Sequence, residues 1–169
     1  APTSSTTAQM VMGDALAVCL MEIKEFNSSD FAKYHPGGTL GKKLYLRVEE
    51  VAAQNAKPKV LPTATIKEVI IEMTAKRLGA AVVVNEAEKI LGIITDGDLR
   101  RMLEKAASFE NLQAKDIMSV NPKTIAADIL AVHALEEMRR HNISQLVVED
   151  NNIYAGIIHL HDLIKEGII

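Results

Sequence analysis

Residues 92–98, Gly92-Ile93-Ile94-Thr95-Asp96-Gly97-Asp98, return at residues 156–162 as Gly156-Ile157-Ile158-His159-Leu160-His161-Asp162. Both steps, Gly92 to Gly156 and Asp98 to Asp162, are 64 residues, and Met73 to Met138 is a step of 65. An internal repeat decides the architecture before any single residue does. The one-residue difference fits a shorter hairpin turn in the second unit.

The surroundings repeat as well. In the first unit Thr65-Ile66-Lys67-Glu68 is a capping box that opens a helix with Ile66, Val69, Ile70 and Met73 on one face. A strand over 80–85, a charged turn over 86–89, a strand over 90–94 and a short helix to Leu103 follow. The second unit gives a helix over 130–140, a strand over 145–148, the turn Asp150-Asn151-Asn152, a strand over 154–158 and a closing helix. Residues 104–115 read as a polar linker with one Phe109. A unit of about 55 residues is too small to be comfortably stable alone, so two should pack face to face. The expected fold is α/β with a pseudo-twofold axis and with ligand clefts between the halves.

The units resemble CBS domains, whose signature is Gly, two apolar strand residues, Thr or Ser, two residues, then Asp. The first unit matches it in full, and the second keeps Gly and Asp but carries His159 in place of the hydroxyl. The chemistry of the spacing is legible on its own. A strand running into a helix start presents free N–H groups and a hydroxyl to a phosphate. Thr95 and Asp98 are therefore candidates for phosphate and ribose hydroxyls, Ala80 and Ala81 for a slot beside a base, and Arg100 or Arg101 for phosphate charge. Asp162 is the matching candidate in the second unit. The plainer reading is that Thr95 and Asp98 are a helix cap and a first-turn acid, and that His159 is a cap or a core-edge residue.

The amino-terminal stretch resembles the end of the SIS domain of arabinose-5-phosphate isomerases. The resemblance rests on Pro2-Thr3-Ser4-Ser5-Thr6-Thr7-Ala8, on Gly13-Asp14-Ala15-Leu16-Ala17, and on Asp30-Phe31-Ala32 leading to His35-Pro36-Gly37-Gly38-Thr39-Leu40-Gly41. The expected organisation is an SIS remnant over 1–47, a first CBS repeat over 48–107 and a second over 108–169. The resemblance implies interconversion of D-arabinose 5-phosphate and D-ribulose 5-phosphate on the route to Kdo. It makes His35 a catalytic candidate, Ser4, Ser5 and Thr6 candidate sugar-phosphate contacts, and a nucleotide or nucleotide-sugar such as CMP-Kdo the regulatory ligand. An adenine nucleotide is the commoner choice across such repeats. No cofactor is required. A purely structural, oligomer-forming repeat pair is the rival reading.

Residues 6–26 read as a helix capped by Thr6 and Thr7, too apolar to stand uncovered, so its partners are expected in a missing part of the protein or in another subunit of a homodimer or homotetramer. Beginning at Ala1 without Met, the chain reads as the latter part of a longer protein and is expected to be inactive alone. A net charge of −3 and a pI near 6.0 argue against a nucleic-acid or anionic-membrane partner. With 48% hydrophobic and 24% charged residues the chain should fold. Cys19, alone in an apolar stretch, reads as a small buried hydrophobe in a reducing, cytoplasmic setting. There is no run of about 18 uncharged apolar residues and no signal peptide pattern. The histidines at 133, 141, 159 and 161 lack the companions of a metal site.

Overall fold

The computed structural model describes residues 3–35, 37–105, 109 and 111–168. Three helices come first: α1 (Thr3–Ile23), α2 (Ser28–Tyr34) and α3 (Thr39–Tyr45). The first repeat then comprises α4 (Val48–Ala52), β1 (Lys59–Val60), α5 (Ile66–Lys76), β2 (Ala80–Val84), β3 (Ile90–Thr95) and α6 (Asp96–Lys105). The second comprises α7 (Ala114–Ile117), β4 (Ser119–Val120), β5 (Thr124–Ala126), α8 (Ala131–His141), β6 (Gln145–Asp150), β7 (Ile153–His159) and α9 (Leu160–Lys165).

Two sheets form, in the orders β1-β2-β3-β4 and β5-β6-β7. In each, the first strand pairs in parallel with the next and a tight hairpin supplies the antiparallel pair. The second hairpin turns on Asn151 and Asn152, both at positive φ, a conformation asparagine tolerates well. All five residues of β2 are buried. Alternation explains it: Ala81 and Val83 face α5, while Ala80, Val82 and Val84 face Val147, Tyr154 and Ile157 across the repeat interface. The Tyr154 hydroxyl meets its need there by donating to the Pro58 carbonyl at 3.1 Å.

The repeats exchange their leading segments. Helix α4 precedes the first sheet in sequence, yet Val48, Val51 and Ala52 complete the core of the second with Leu135, Met138 and Leu146. Conversely, α7 precedes the second sheet but Ala114 packs with Val69, Met73 and Ile94 of the first, and β4 joins β3. The boundaries at 48 and 108 thus divide the sequence while the packing crosses them. Gly92 fits this crossing, since a Cβ there would stand 2.7 Å from Met118 Sδ and 2.9 Å from the Ser119 carbonyl.

Several sequence expectations are corrected. The first helix starts at Thr3, and Thr6 and Thr7 lie inside it, their hydroxyls donating back to the Thr3 carbonyl instead of capping. Helix α1 has no buried residue among the described contacts, so Cys19 is exposed instead of buried. By length and average hydropathy α1 passes for a membrane span, although Asp14 interrupts its apolar run. Ile70 falls outside the buried stripe of α5, which is Ile66, Val69 and Met73. The expected linker at 104–115 is shortened at both ends by α6 and α7.

The segment carrying His35 docks on the second repeat. Leu46 accepts the first amide of α8, from Ala131, at 2.8 Å; Lys42 pairs with Glu166 at 2.8 Å; and Arg47 reaches the Asp128 carbonyl. Gly92→Ala is expected to cost about 1–3 kcal/mol in urea denaturation by forcing β4 away from β3. Gly13→Ala, inside α1 where an added carbon meets nothing within 4 Å, does not lower the midpoint and favours the helix by about 0.5–1 kcal/mol.

Candidate functional site

A cleft of about 410 Å³ opens between the repeats. One wall is the start of α6, Thr95-Asp96-Gly97, with Gly79 and Ile93; the other is the stretch 142–145 that joins α8 to β6, with Pro122 and Lys123. At the strand-to-helix junction of the first repeat the amides are mostly engaged, Thr95 N–H by Asp98 Oδ2, Asp96 N–H by the Gly79 carbonyl and Asp98 N–H by Thr95 Oγ1. Helix α8 ends with Asn142 in the left-handed conformation, φ 52°, which turns the chain to present Ile143 and Ser144 to the cleft. Gly79 holds φ 64°, and a Cβ there would stand 3.2 Å from Asp96 Oδ2 and 3.4 Å from Gln145 Nε2, so glycine lets the two walls approach. The walls are tied by Gln145 Nε2 donating to the Leu78 carbonyl at 2.5 Å.

Asp98 is 7% exposed and accepts four hydrogen bonds. Oδ2 takes the Thr95 N–H at 2.8 Å and the Thr95 hydroxyl at 2.6 Å, while Oδ1 takes Arg101 Nη2 at 2.6 Å and the Ser119 hydroxyl at 3.0 Å. Burial pushes this carboxyl up, but the bonds from Thr95, Arg101 and Ser119 outweigh it and hold it below the usual carboxylate range. In the second repeat, Asp162 Oδ2 accepts the His159 N–H at 2.7 Å and Asn55 Nδ2 at 2.6 Å. Ser119 and Asn55 stand 64 residues apart, each just past an exchanged helix. Each therefore reaches the aspartate of the repeat it does not precede.

His159 takes the place of the threonine hydroxyl as a cap. Its Nδ1 accepts the His161 N–H at 3.1 Å, and the two rings stack with centroids 4.9 Å apart. Burial first and His161 second push its imidazole below the ordinary value, against the opposing pull of Asp162. Only the neutral ring can accept at Nδ1. No group of three or more metal-ligating side chains occurs among the described residues.

Of the candidates read from sequence, Thr95 lines the cleft and Asp98 lies directly behind it. Ala80 and Ala81 are fully buried in two different cores and do not line this cleft, which corrects the expected base slot. Arg100 is exposed and makes no ion pair among the described residues; Arg101 is the arginine at the site. His35 is exposed at the end of α2, its ring 4.6 Å from that of Phe31. Ser4, Ser5 and Thr6 lie exposed in the first turn of α1, separate from the cleft lining. Lys123, Asn142, Ser144 and Gln145 were missed. Gln145 stands 65 residues after Ala80, so the repeat itself placed the far wall at the matching stretch of the other unit.

Asp98→Ala should cost about 1–3 kcal/mol by urea denaturation, because it uncaps α6 and strands Ser119 and Thr95. The depressed His159 value means its contribution is full above about pH 6.5 and is lost as pH falls through the folded-state value. Melting temperature should therefore drop more steeply from pH 7.5 to 5.5 in the wild type than in His159→Thr, which keeps a neutral cap. Equal slopes would remove His159 from the account.

The sequence matches the CBS domain family over residues 48–105 and 114–168. It is 43% identical over its whole length to the arabinose 5-phosphate isomerase KdsD of Salmonella typhi, of which it covers 52%. It is 42% identical to an uncharacterized protein of Helicobacter pylori, covering 99% of this chain and 51% of that one. The chain thus spans about half the length of the curated relatives it matches. A CBS domain protein from Pyrobaculum aerophilum, solved in complex with AMP, aligns at TM-score 0.63 and 27% identity over 70% of this chain and 90% of that one. The putative acetoin utilization protein AcuB from Vibrio cholerae shares the fold at TM-score 0.65 and 24% identity, over 73% and 92% of the two chains. With its two repeats, their exchanged helices and a cleft between them, this chain belongs to the CBS domain family.

Proposed function

We propose that this chain is the nucleotide-sensing part of a sugar-phosphate isomerase, and that the cleft between Thr95–Gly97 and Asn142–Gln145 takes a nucleotide or nucleotide-sugar. The observation that carries the ligand reading is the convergence, from opposite repeats, of a helix start with its Thr95 hydroxyl and of the Lys123 ammonium. A similar protein at 27% identity was solved with AMP. Either an adenine nucleotide or a cytidylyl-activated sugar acid such as CMP-Kdo satisfies that chemistry.

The parent activity is carried by the relatives named arabinose 5-phosphate isomerase. Conversion of D-arabinose 5-phosphate into D-ribulose 5-phosphate takes a proton from C2 and returns one to C1 through an enediol, and needs no cofactor. An imidazole suits that transfer near neutral pH. His35 is the residue this chain contributes to it, with Ser4, Ser5 and Thr6 as phosphate contacts once the rest of the enzyme is present. The exposed apolar side chains of α1, spread around the helix, support packing against that remainder or in a homo-oligomer, in a cytoplasmic enzyme.

A structural reading has its own support: Asp98 and Asp162 each accept the backbone N–H at the start of the helix they belong to, a capping role within the protein itself. Melting curves with AMP, ATP, CMP and CMP-Kdo separate the two. A ligand at about a hundred times its Kd adds roughly 2.7 kcal/mol, a rise of about 5–10 °C. Lys123→Glu abolishes that rise while leaving the unliganded midpoint in place. No shift with any of the four supports the structural role. In the full-length enzyme, His35→Ala lowers kcat by about 100-fold or more, and undiminished turnover would exclude it from the chemistry.

A further inference from the structure

Two features of the cleft do not fit a simple phosphate cradle. Lys123 shares the lining with Asp96, so the cleft holds one formal charge of each sign and is not a purely cationic cradle. The aspartate that would receive a ribose diol is already filled, Oδ1 by Arg101 and Ser119. One side chain resolves both. Arg101 folds back along the first turn of α6 so that its Nη1 lies 3.4 Å, and the Thr95 hydroxyl 3.5 Å, from where a side-chain carbon at Gly97 would stand. Thr95 and Gly97 both line the cleft. The Arg101 side chain is 59% exposed, against 7% for that of its partner. It can therefore leave Asp98 at little desolvation cost, and Asp98 keeps its Thr95 bonds, so the cap survives.

We propose, building on the nucleotide reading, that Arg101 is a latch that selects phosphorylated ligands over nucleosides. Before a ligand arrives it holds Asp98 Oδ1. A ligand phosphate arriving beside Thr95 and Gly97 draws the guanidinium away, and the freed Oδ1 accepts from the ribose diol. The exchange gives up one charge-assisted bond and makes at least two. A nucleoside has no phosphate to draw Arg101 off and must compete with it for Asp98. The device belongs to the first repeat alone: the residue 64 positions after Arg101 is Lys165, which makes no bond to Asp162 among the described residues.

Isothermal titration of the 169-residue chain with AMP and adenosine, and with CMP and cytidine, tests this. Arg101→Ala should weaken the nucleotide that binds by about 10- to 100-fold and leave its nucleoside unchanged or slightly tighter; Arg101→Lys should fall between. Urea midpoints confirm that both variants fold. Equal weakening of nucleotide and nucleoside, or no weakening of either, overturns the latch and leaves the nucleotide site standing. Failure of AMP, CMP, ATP and CMP-Kdo alike to bind the wild type overturns the site and the latch together.

Discussion

One carboxylate in each repeat ties together three parts of the chain. Asp98 closes a box with Thr95 at the start of α6, and Ser119, arriving from the segment ahead of the other repeat, adds a third bond. Asp162, His159 and Asn55 do the same on the far side of the pseudo-twofold axis. The exchanged helices α4 and α7 are placed by these bonds and by the glycines their segments pack against, Gly92 and Gly156. Without the exchange neither sheet has a complete core, so the two repeats form one cooperative body.

The same arrangement determines where a ligand would bind and what it would move. The cleft takes one wall from each repeat, and its far wall is the carboxyl end of α8. The amino end of α8 receives Leu46, immediately after the helix that follows the His35 loop. A ligand that changes the cleft therefore acts on the second repeat, the unit on which the amino-terminal segment rests.

Much of this was legible in the sequence. The repeat, the hairpins and the Thr65 capping box follow from spacing and local chemistry, and the structure has them within a few residues. Thr95 was legible for the same reason, because a helix start is a local feature. The far wall was harder to see, since Lys123 and Asn142–Gln145 meet Thr95 only through the packing of two units. Ala80 and Ala81 misled because small residues next to the motif resemble room for a base, whereas β2 is buried on both faces. Arg101, and not Arg100, faces the site because position i+3 from Asp98 lies on the same helical face. Cys19 and the face of α1 show the opposite limit: the sequence marks them as apolar, and no described element covers them.

Sensing by this chain requires that a nucleotide enter the cleft between the repeats. Backbone amide chemical-shift mapping of the labelled chain, titrated with AMP and separately with CMP-Kdo, tests this most directly. Shifts concentrated at Thr95–Asp98, Arg101, Lys123 and Asn142–Gln145 are the predicted result. Shifts confined to α1 or the His35 segment, or none with either ligand, would contradict it.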